Sequence, residues 1–330
     1  TGAFCLSVWY ISYCKTVKEL QFVEGPRHQS ASKKKLSVVA FLYFVPLGNT
    51  QLFYHTESDS LSLVCLCVWV YIYQHWDGTM IFALRDLFNS GVYHYKKGDI
   101  KWVMSTYMLI AHILGVYGIY EVRNCTKDTI LWGYILIVYS AISVTAGNHR
   151  LWSHKSYEAS LPMRIILMIG VSIANQGTIL HWARDHRVHH KFSDTKADPH
   201  NANNGFFFSH MGWLFVEKHP LVKIKGSEID MSDLKADPVV RFQSYLHPFI
   251  TLYLCFVMPA QIPQYFWGEK FWPAFFVCGA MRYLITLHGT WLVNSAAHIY
   301  GDHPYDVASW PAENPFVSML VMGEGWHNWH

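Results

Sequence analysis

Apolar stretches long enough to cross a membrane alternate with polar segments along most of this chain. Two of them, at about 102–121 and about 130–147, each approach the roughly 20 residues that a helix needs to span a bilayer core. The polar link between them is so short that it predicts a tight hairpin. Two more stretches, at about 245–263 and about 271–293, follow later, and aromatic residues at their ends suit the membrane interface. The pattern therefore predicts four transmembrane helices in two hairpins.

The other parts of the chain follow different patterns. The segment 162–181 is apolar but is interrupted by an Asn-Gln-Gly sequence, so we interpret it as a helix that lies in or dips into the membrane. Residues 186–242 are rich in Asp, Lys and His, which predicts a water-exposed region. The apolar runs within residues 1–85 are too short for spans. This part is left unassigned, and residues 86–330 are predicted to form one domain.

The composition supports a membrane protein. Of the 330 residues, 52% are hydrophobic and 15% are charged, against about 25% charged in an average soluble domain. The net charge is only +3 and there is no long basic run, so nucleic acid is not expected as a partner. The seven cysteines include no Cys-x-x-Cys pair and lie mostly in apolar runs. We interpret them as small buried side chains rather than as disulfides or zinc ligands.

Histidines occur in three clusters with the spacing of metal ligands. The clusters are His149 and His154; His186, His189 and His190; and His327 and His330. On a helix, residues three and four apart share a face, so the second and third clusters each present their imidazoles together. His149 and His154 are five apart and can share a centre only if the helix ends between them. Because these imidazoles exceed what one ion can bind, they predict a multi-iron centre held against the membrane.

All three clusters are predicted to lie on the same side of the membrane, because each hairpin returns the chain to the side on which it began. Lys96, Lys97 and Lys101 precede the first predicted span, and more basic residues fall within 184–225. Positive charge favours the cytoplasmic side of a membrane. The metal centre is therefore expected to face the cytosol.

The histidines belong to longer strings that are specific to one protein family. These strings cover 145–157, 182–194, 197–201, 205–213, 237–243 and 294–298. From about residue 87 to residue 330 the chain resembles the membrane-bound fatty acyl-CoA desaturases of the stearoyl-CoA, Δ9 type. The resemblance implies an all-α integral membrane fold in the endoplasmic reticulum. Its four transmembrane helices would lie under a cytosolic helical cap that holds a histidine-rich di-iron site.

The resemblance also implies which residues hold the two iron ions. The ligands it gives are His149, His154, His186, His189, His190, His298, His327 and His330, with Asn294 acting through a water. His298 enters only through the resemblance, since spacing alone would leave it a hydrogen-bonded core histidine. The family's last cluster ends in two adjacent histidines, and this chain stops at the first of them. We therefore expect the sequence to be a fragment that lacks the ninth histidine.

The implied reaction is O2-dependent desaturation of a fatty acyl-CoA, with a cis double bond of the Δ9 type as the product. Removing hydrogens from unactivated methylenes needs an oxidant that O2 at a reduced metal pair supplies, and two electrons from outside. The resemblance implies that NADH, cytochrome b5 reductase and cytochrome b5 provide these electrons. Asp185, Asp194 and Asp198 are candidates to orient ligand imidazoles. Each could equally form a surface salt bridge or a helix cap.

Residues that bind the substrate are implied as well. A kinked tunnel for the acyl chain would bend at Gln176, Trp182 and Thr290, with Trp291 adjacent. The coenzyme A headgroup would lie near three charged residues, which are Arg184, Asp185 and Lys218. Ile137 and Ala141, one helical turn apart, would close the far end of the tunnel. Because Ala141 is small, it leaves room at the end of the tunnel, and the resemblance implies acyl chains of about sixteen to eighteen carbons. A larger side chain there would overfill the tunnel and exclude long acyl chains.

Three positions depart from the family's usual residues: Asn148, Glu217 and His303. Glu217 matters most, because its carboxylate would oppose a phosphate of the headgroup. None of the departures removes a ligand. Together they suggest an unusual substrate or relaxed selection.

Other kinds of metal protein fit the sequence less well. A carboxylate-bridged di-iron protein needs two Glu-x-x-His motifs, and only Glu324 with His327 forms one. The His-Glu-x-x-His motif of zinc proteases is absent. A metal transporter would place ionisable residues inside its spans, whereas these clusters lie at the ends of spans or beyond. Two alternatives are not excluded by the sequence. One is a hydroxylase, acetylenase or conjugase with the same iron chemistry, and the other is a non-catalytic relative of this fold.

Overall fold

This computed structural model describes the backbone of residues 79–330 and the side chains from residue 88 onward. The regular structure of these residues is helical. No strand forms within this range, and pairing between extended residues is confined to isolated bridges such as Asp302 with Glu313. The prediction of an all-α fold is therefore confirmed for these residues. The assignment of residues 1–85 falls almost entirely outside them.

The helices follow one another with short connections. In chain order they are α1 Thr79–Lys97, α2 Trp102–Glu121, α3 Lys127–Ser143, α4 Leu161–Ala174, α5 Ile179–Lys191, α6 Phe206–His210, α7 Pro220–Ser227, α8 Ser232–Ala236, α9 Pro238–Leu246, α10 Phe249–Leu252, α11 Met258–Trp267, α12 Phe271–Ala274, α13 Arg282–Ile299 and α14 Pro315–Leu320. Three π-helical segments extend or join them: Val144–Ser153 after α3, Tyr253–Val257 between α10 and α11, and Phe275–Met281 between α12 and α13.

Three helical segments are long and apolar enough to span a membrane: Trp102–Asn124, Lys127–Ser153 and Phe249–Trp267. They coincide with three of the four predicted spans. Helices α4 and α5 together pass the same test but meet at a bend of 83°, which makes them either a broken span or a re-entrant pair. The described residues thus form a membrane protein with three or four apolar crossings.

The remaining predicted span, 271–293, lies within a continuous helix that runs from α12 through α13, but it is not among these apolar segments. The helix is roughly 44 Å long at a rise of about 1.5 Å per residue, which exceeds a bilayer core of about 30 Å. Polar side chains lower its hydropathy, and Arg282, Thr286 and Ser295 among them are buried inside the protein. Neighbouring helices therefore shield these groups from lipid.

The segment 162–181 forms two helices rather than the single one predicted. Asn175 ends α4 by adopting a left-handed conformation with φ 48°, and Gly177 follows with φ 98°. Asparagine and glycine take positive φ more readily than other residues. The side chain of Thr178 then caps the first turn of α5. The break turns the chain, so that α5 leaves α4 at an angle of 83°.

The segments that carry the first two histidine clusters rest on a common apolar core. Its fully or nearly buried members include Trp152, Leu167, Val171, Ile179, Ala183 and Val240. These side chains come from the π segment after α3 and from α4, α5 and α9. The core therefore fixes the end of α3 against the start of α5.

Candidate metal centre

A π-helical turn places His149 and His154 side by side. The backbone N–H of His154 donates to the carbonyl oxygen of His149 at 3.0 Å, within the π segment Val144–Ser153 and its cap. Hydrogen bonds between residues five apart define a π turn, a feature found often at functional sites. The helix ends at Ser153, between the two histidines, so this part of the prediction is confirmed. The π turn that closes the helix was not predicted, and it brings the two imidazoles together.

Five histidines form a first group around one point. Ligand atoms of His149, His154, His186, His190 and His330 all lie within 4.8 Å of one another. The Nε2 atom of His330 lies 2.9 Å from Nε2 of His149 and 3.2 Å from Nε2 of His154. Nitrogen ligands about 2.1 Å from one ion lie about 3 Å apart in adjacent positions. The spacing therefore suits a shared cation.

Three fully enclosed histidines form a second group, which contains His189, His298 and His327. Nε2 of His298 and Nδ1 of His327 are buried without a hydrogen-bond partner among the described residues. Buried nitrogen atoms rarely stay unpaired, and a metal ion would satisfy both. The three histidines of the second sequence cluster are thus divided between the groups, with His189 in the second group and His186 and His190 in the first.

Three carboxylates hold the outer nitrogens of these histidines. Asp198 lies 2.9 Å from Nδ1 of His189, and Asp194 lies 2.9 Å from Nδ1 of His298. Glu324 lies 2.8 Å from Nδ1 of His149. Each pair fixes the tautomer with a proton on Nδ1 and leaves Nε2 free to face the centre, an arrangement typical of metal-bound histidines.

Burial and hydrogen bonding act in opposite directions on these carboxyl groups. Burial alone would raise the pKa of Asp194, Asp198 and Glu324, because it disfavours the charged form. The paired histidines outweigh burial, and the pKa of each of the three carboxyl groups is lowered. All three therefore stay ionised at neutral pH and favour a positive charge at the centre.

Asp185 behaves differently from the other two predicted aspartates. It forms an ion pair with Lys218 and accepts hydrogen bonds from Arg184, and it contacts no histidine of either group. The alternative of a salt bridge is therefore the correct one for Asp185. Asp185 lies in a charged groove together with Arg184 and Lys218.

Two residues near the centre were missed from the sequence. Glu324 stands three residues before His327, and this spacing is a signal for a carboxylate near the centre. From the sequence, the spacing suggests a carboxylate that bridges two ions, not one that orients a histidine. His200 is buried beside Asp198 and forms a third close group with Asp198 and His189. Burial followed by the neighbouring His189 lowers the pKa of His200 to about 3, so its imidazole is neutral.

An apolar cavity begins at the histidines and continues between α3 and α13. Its lining includes His149, His186, His189, His327, Asn294, Thr290, Trp182, Ile137 and Ala141. The structure thus brings the two residues predicted for the tunnel end into the same cavity as the metal-ligand candidates. Trp291 is not part of this lining. It packs into a separate core, with its ring 5.1 Å from that of His288.

Hydrogen bonds join the three residues predicted at the bend of the tunnel. Nε2 of Gln176 donates to Oγ1 of Thr290 at 2.8 Å. Nε1 of Trp182 donates to Oε1 of Gln176 at 3.0 Å. Gln176 therefore links Trp182 of α5 to Thr290 of α13, two residues that line the cavity, although Gln176 itself is not part of the lining.

A second, charged groove of about 520 Å³ lies on the outer side of α5. Arg184, Asp185 and Lys218, which are predicted near the headgroup, all line it. Lys223 and Lys235 add further positive charge to the groove. Glu217 is not among the lining residues, and its carboxylate pairs with Lys223 at 3.3 Å.

These features define a helical membrane protein with a histidine-rich metal centre above an apolar cavity. The sequence model of the fatty acid desaturase family matches residues 128–330. The chain belongs to this family.

Curated relatives extend the match beyond the family domain. The chain is 50% identical over 232 residues to stearoyl-CoA desaturase 5 of Bos taurus, which covers 70% of this chain and 69% of the relative. It is 50% identical over 234 residues to stearoyl-CoA desaturase of Homo sapiens, covering 71% of this chain and 65% of the relative. It is 48% identical over 253 residues to acyl-CoA desaturase of Cyprinus carpio, covering 75% of this chain and 77% of the relative.

Proposed function

We propose that the protein is an acyl-CoA desaturase that uses O2 to introduce a cis double bond, of the Δ9 type, into a fatty acyl chain. The observation that carries the proposal is the position of two adjacent histidine groups at one end of an apolar cavity. The names of the similar curated proteins favour desaturation over hydroxylation or acetylene formation. No feature of the described residues favours these alternatives.

The two histidine groups are proposed to hold one iron ion each. The first would use His149, His154, His186, His190 and His330, and the second His189, His298 and His327, with Asn294 beside them in the cavity wall. When bound, the iron pair supplies the oxidising power, drawn from O2 and two electrons, that removes two hydrogens from adjacent methylenes. The protein holds the imidazoles in place through Asp194, Asp198 and Glu324.

The proposed path of the substrate runs from the charged groove to the cavity. Arg184 and Lys218 supply positive charge where the phosphates of a coenzyme A headgroup would lie. The acyl chain would pass Gln176, turn toward the histidines and end near Ala141. The cavity volume of about 100 Å³ is below the roughly 300–1,000 Å³ typical of ligand pockets, so the lining side chains must move apart as the chain enters.

We also propose that the electrons come from NADH through cytochrome b5 and its reductase, at the cytosolic face of the endoplasmic reticulum membrane. The basic last turn of α1, which contains Lys96 and Lys97, supports this orientation. No tightly bound electron carrier is needed in the chain itself if the reducing partner docks from outside.

Expression in yeast that lacks its own desaturase tests the proposed function. The wild-type chain should restore growth without added unsaturated fatty acid, and lipid analysis should show monounsaturated acyl chains. His189→Ala should reach the membrane at a normal level but give no product, because it removes a ligand from the second group. His303→Ala is the matched control, since His303 lies outside both groups and its imidazole bonds the Trp310 carbonyl oxygen. Membrane-inserted wild-type protein without unsaturated product would contradict the proposal.

A further inference from the structure

Arg282 is a fully buried cation at the start of α13, inside the helix bundle. Its Nε donates to the carbonyl oxygen of Cys278 at 2.9 Å, Nη1 to that of Ile173 at 3.0 Å, and Nη2 to that of Cys255 at 2.7 Å. No carboxylate of the described residues pairs with it. A buried charge without a counter-ion is costly, so the contacts that Arg282 makes are informative.

Two of the carbonyl groups that accept hydrogen bonds from Arg282 lie where helices are interrupted. Ile173 belongs to the last turn of α4, just before the break, and Cys255 belongs to a π-helical segment. Carbonyl oxygens in the last turn of a helix lack backbone partners and carry partial negative charge. The guanidinium therefore stabilises the end of α4 and joins it to α13.

The next residue of α13 holds the other side of the same break. The hydroxyl of Tyr283 donates to the carbonyl oxygen of Asn175 at 3.4 Å and accepts from the hydroxyl of Tyr107 at 3.1 Å. The side-chain amide of Asn175 donates to that same Tyr107 hydroxyl at 3.0 Å. Arg282 and Tyr283 thus fix both the last turn of α4 and the left-handed residue that ends it.

Gln176 directly follows this fixed residue and is the link between α5 and α13. Its side chain bonds Thr290 and Trp182, which both line the cavity, whereas its backbone position is set by the break. Ten residues further along, α5 provides His186 to the first histidine group. The break therefore sets how far Gln176, the residue proposed at the bend of the substrate path, lies from the metal centre.

We propose that Arg282 is a positioning residue for regioselectivity, which holds the break between α4 and α5 so that the acyl chain bends at one fixed distance from the metal centre. The inference rests on the proposed function and extends it. A lysine at this position carries the same charge, but its single ammonium lacks the planar fork that reaches carbonyl groups on separate helices. Reactive geometry is sensitive to displacements of about 1 Å.

Arg282→Lys should therefore change where the double bond is placed. In the yeast assay, the ratio of the main positional isomer to its neighbours should fall about tenfold, equivalent to about 1.4 kcal/mol in transition-state discrimination. Tyr283→Phe, which removes only a hydroxyl, should shift the ratio in the same direction by a smaller factor. Arg123→Lys is the matched control, because Arg123 lies outside the cavity over the ring of Tyr120, and it should keep the wild-type ratio.

The outcomes separate this inference from the proposed function. If the wild-type protein makes no unsaturated product, the proposed function is contradicted. The positioning role of Arg282 is then tested by hydrogen–deuterium exchange of the backbone amides of residues 174–178 in purified Arg282→Lys. Faster exchange than in wild type supports the positioning role, and equal exchange overturns it. A folded Arg282→Lys that loses activity but keeps one isomer also overturns it. If Arg282→Lys does not fold, an unchanged isomer ratio in Tyr283→Phe overturns the inference.

Discussion

The chemistry of the centre depends on single hydrogen bonds to the outer nitrogens of histidines. Each of Asp194, Asp198 and Glu324 accepts from an Nδ1–H group and thereby directs Nε2 inward. The Glu324 carboxylate also lies 3.7 Å from the guanidinium of Arg150. A carboxylate that accepts from the outer nitrogen of a ligand histidine makes the imidazole a stronger donor and fixes its orientation.

Replacing Glu324 by glutamine tests this role directly. An amide accepts a weaker hydrogen bond than a carboxylate, because the charge assistance is lost. We expect iron affinity, measured by competition with a chelator, to fall by about 10–100-fold in Glu324→Gln. Glu228→Gln is the matched control, since that carboxylate pairs with Lys225 on the surface of the described part of the chain. Equal affinities for the two variants would show that Glu324 does not support the centre.

At the scale of elements, backbone geometry decides which histidines meet. Helical spacing predicts the neighbours on α5, but a π turn depends on one extra residue per turn and leaves no repeat in the sequence. For this reason the sequence predicts that the helix ends between His149 and His154, but it does not predict the π turn that closes the helix there. The Asn-Gln-Gly sequence indicates an interruption at this point, but it predicts neither the end of α4 at Asn175 nor the bend of 83° that follows.

Close contact between α2 and the helix from α12 to α13 is another feature that hydropathy cannot reveal. A Cβ on Gly118 would lie 2.4 Å from the carbonyl oxygen of Phe276, and one on Gly115 would lie 2.4 Å from Leu284. Two glycines one turn apart thus let the backbones approach. Apolar length predicts that a helix crosses the membrane, but the choice of partner depends on such small residues.

Gly118→Ala should push these two helices apart. Overpacking of this kind costs about 1–3 kcal/mol, and it should appear as a lower Tm of the protein in detergent. Gly91→Ala is the matched control, because nothing lies within 4 Å of a Cβ at Gly91. Alanine there should be neutral or slightly stabilising in helix α1. If both variants have the wild-type Tm, the close packing of α2 is not required for stability.

At the scale of the whole molecule, the centre is assembled from parts that are far apart along the chain. His149 and His330, whose Nε2 atoms lie 2.9 Å apart, are separated by 181 positions. The ends of α3, α5 and α13 and the last residues of the chain all contribute. The identity of the ligand candidates could be predicted from the sequence strings, whereas their division into two groups required the fold. A site of this kind couples metal binding to folding.

The metal content of the purified protein measures whether the two histidine groups each hold an ion. After expression in iron-supplemented cells, we expect two iron ions per chain. Removing one ligand from each group, in the double variant His186→Ala and His298→Ala, should abolish binding of both ions, because each group then loses a nitrogen donor. A wild-type protein with a single ion, or a double variant that keeps two, would show that the two histidine groups do not hold an iron pair.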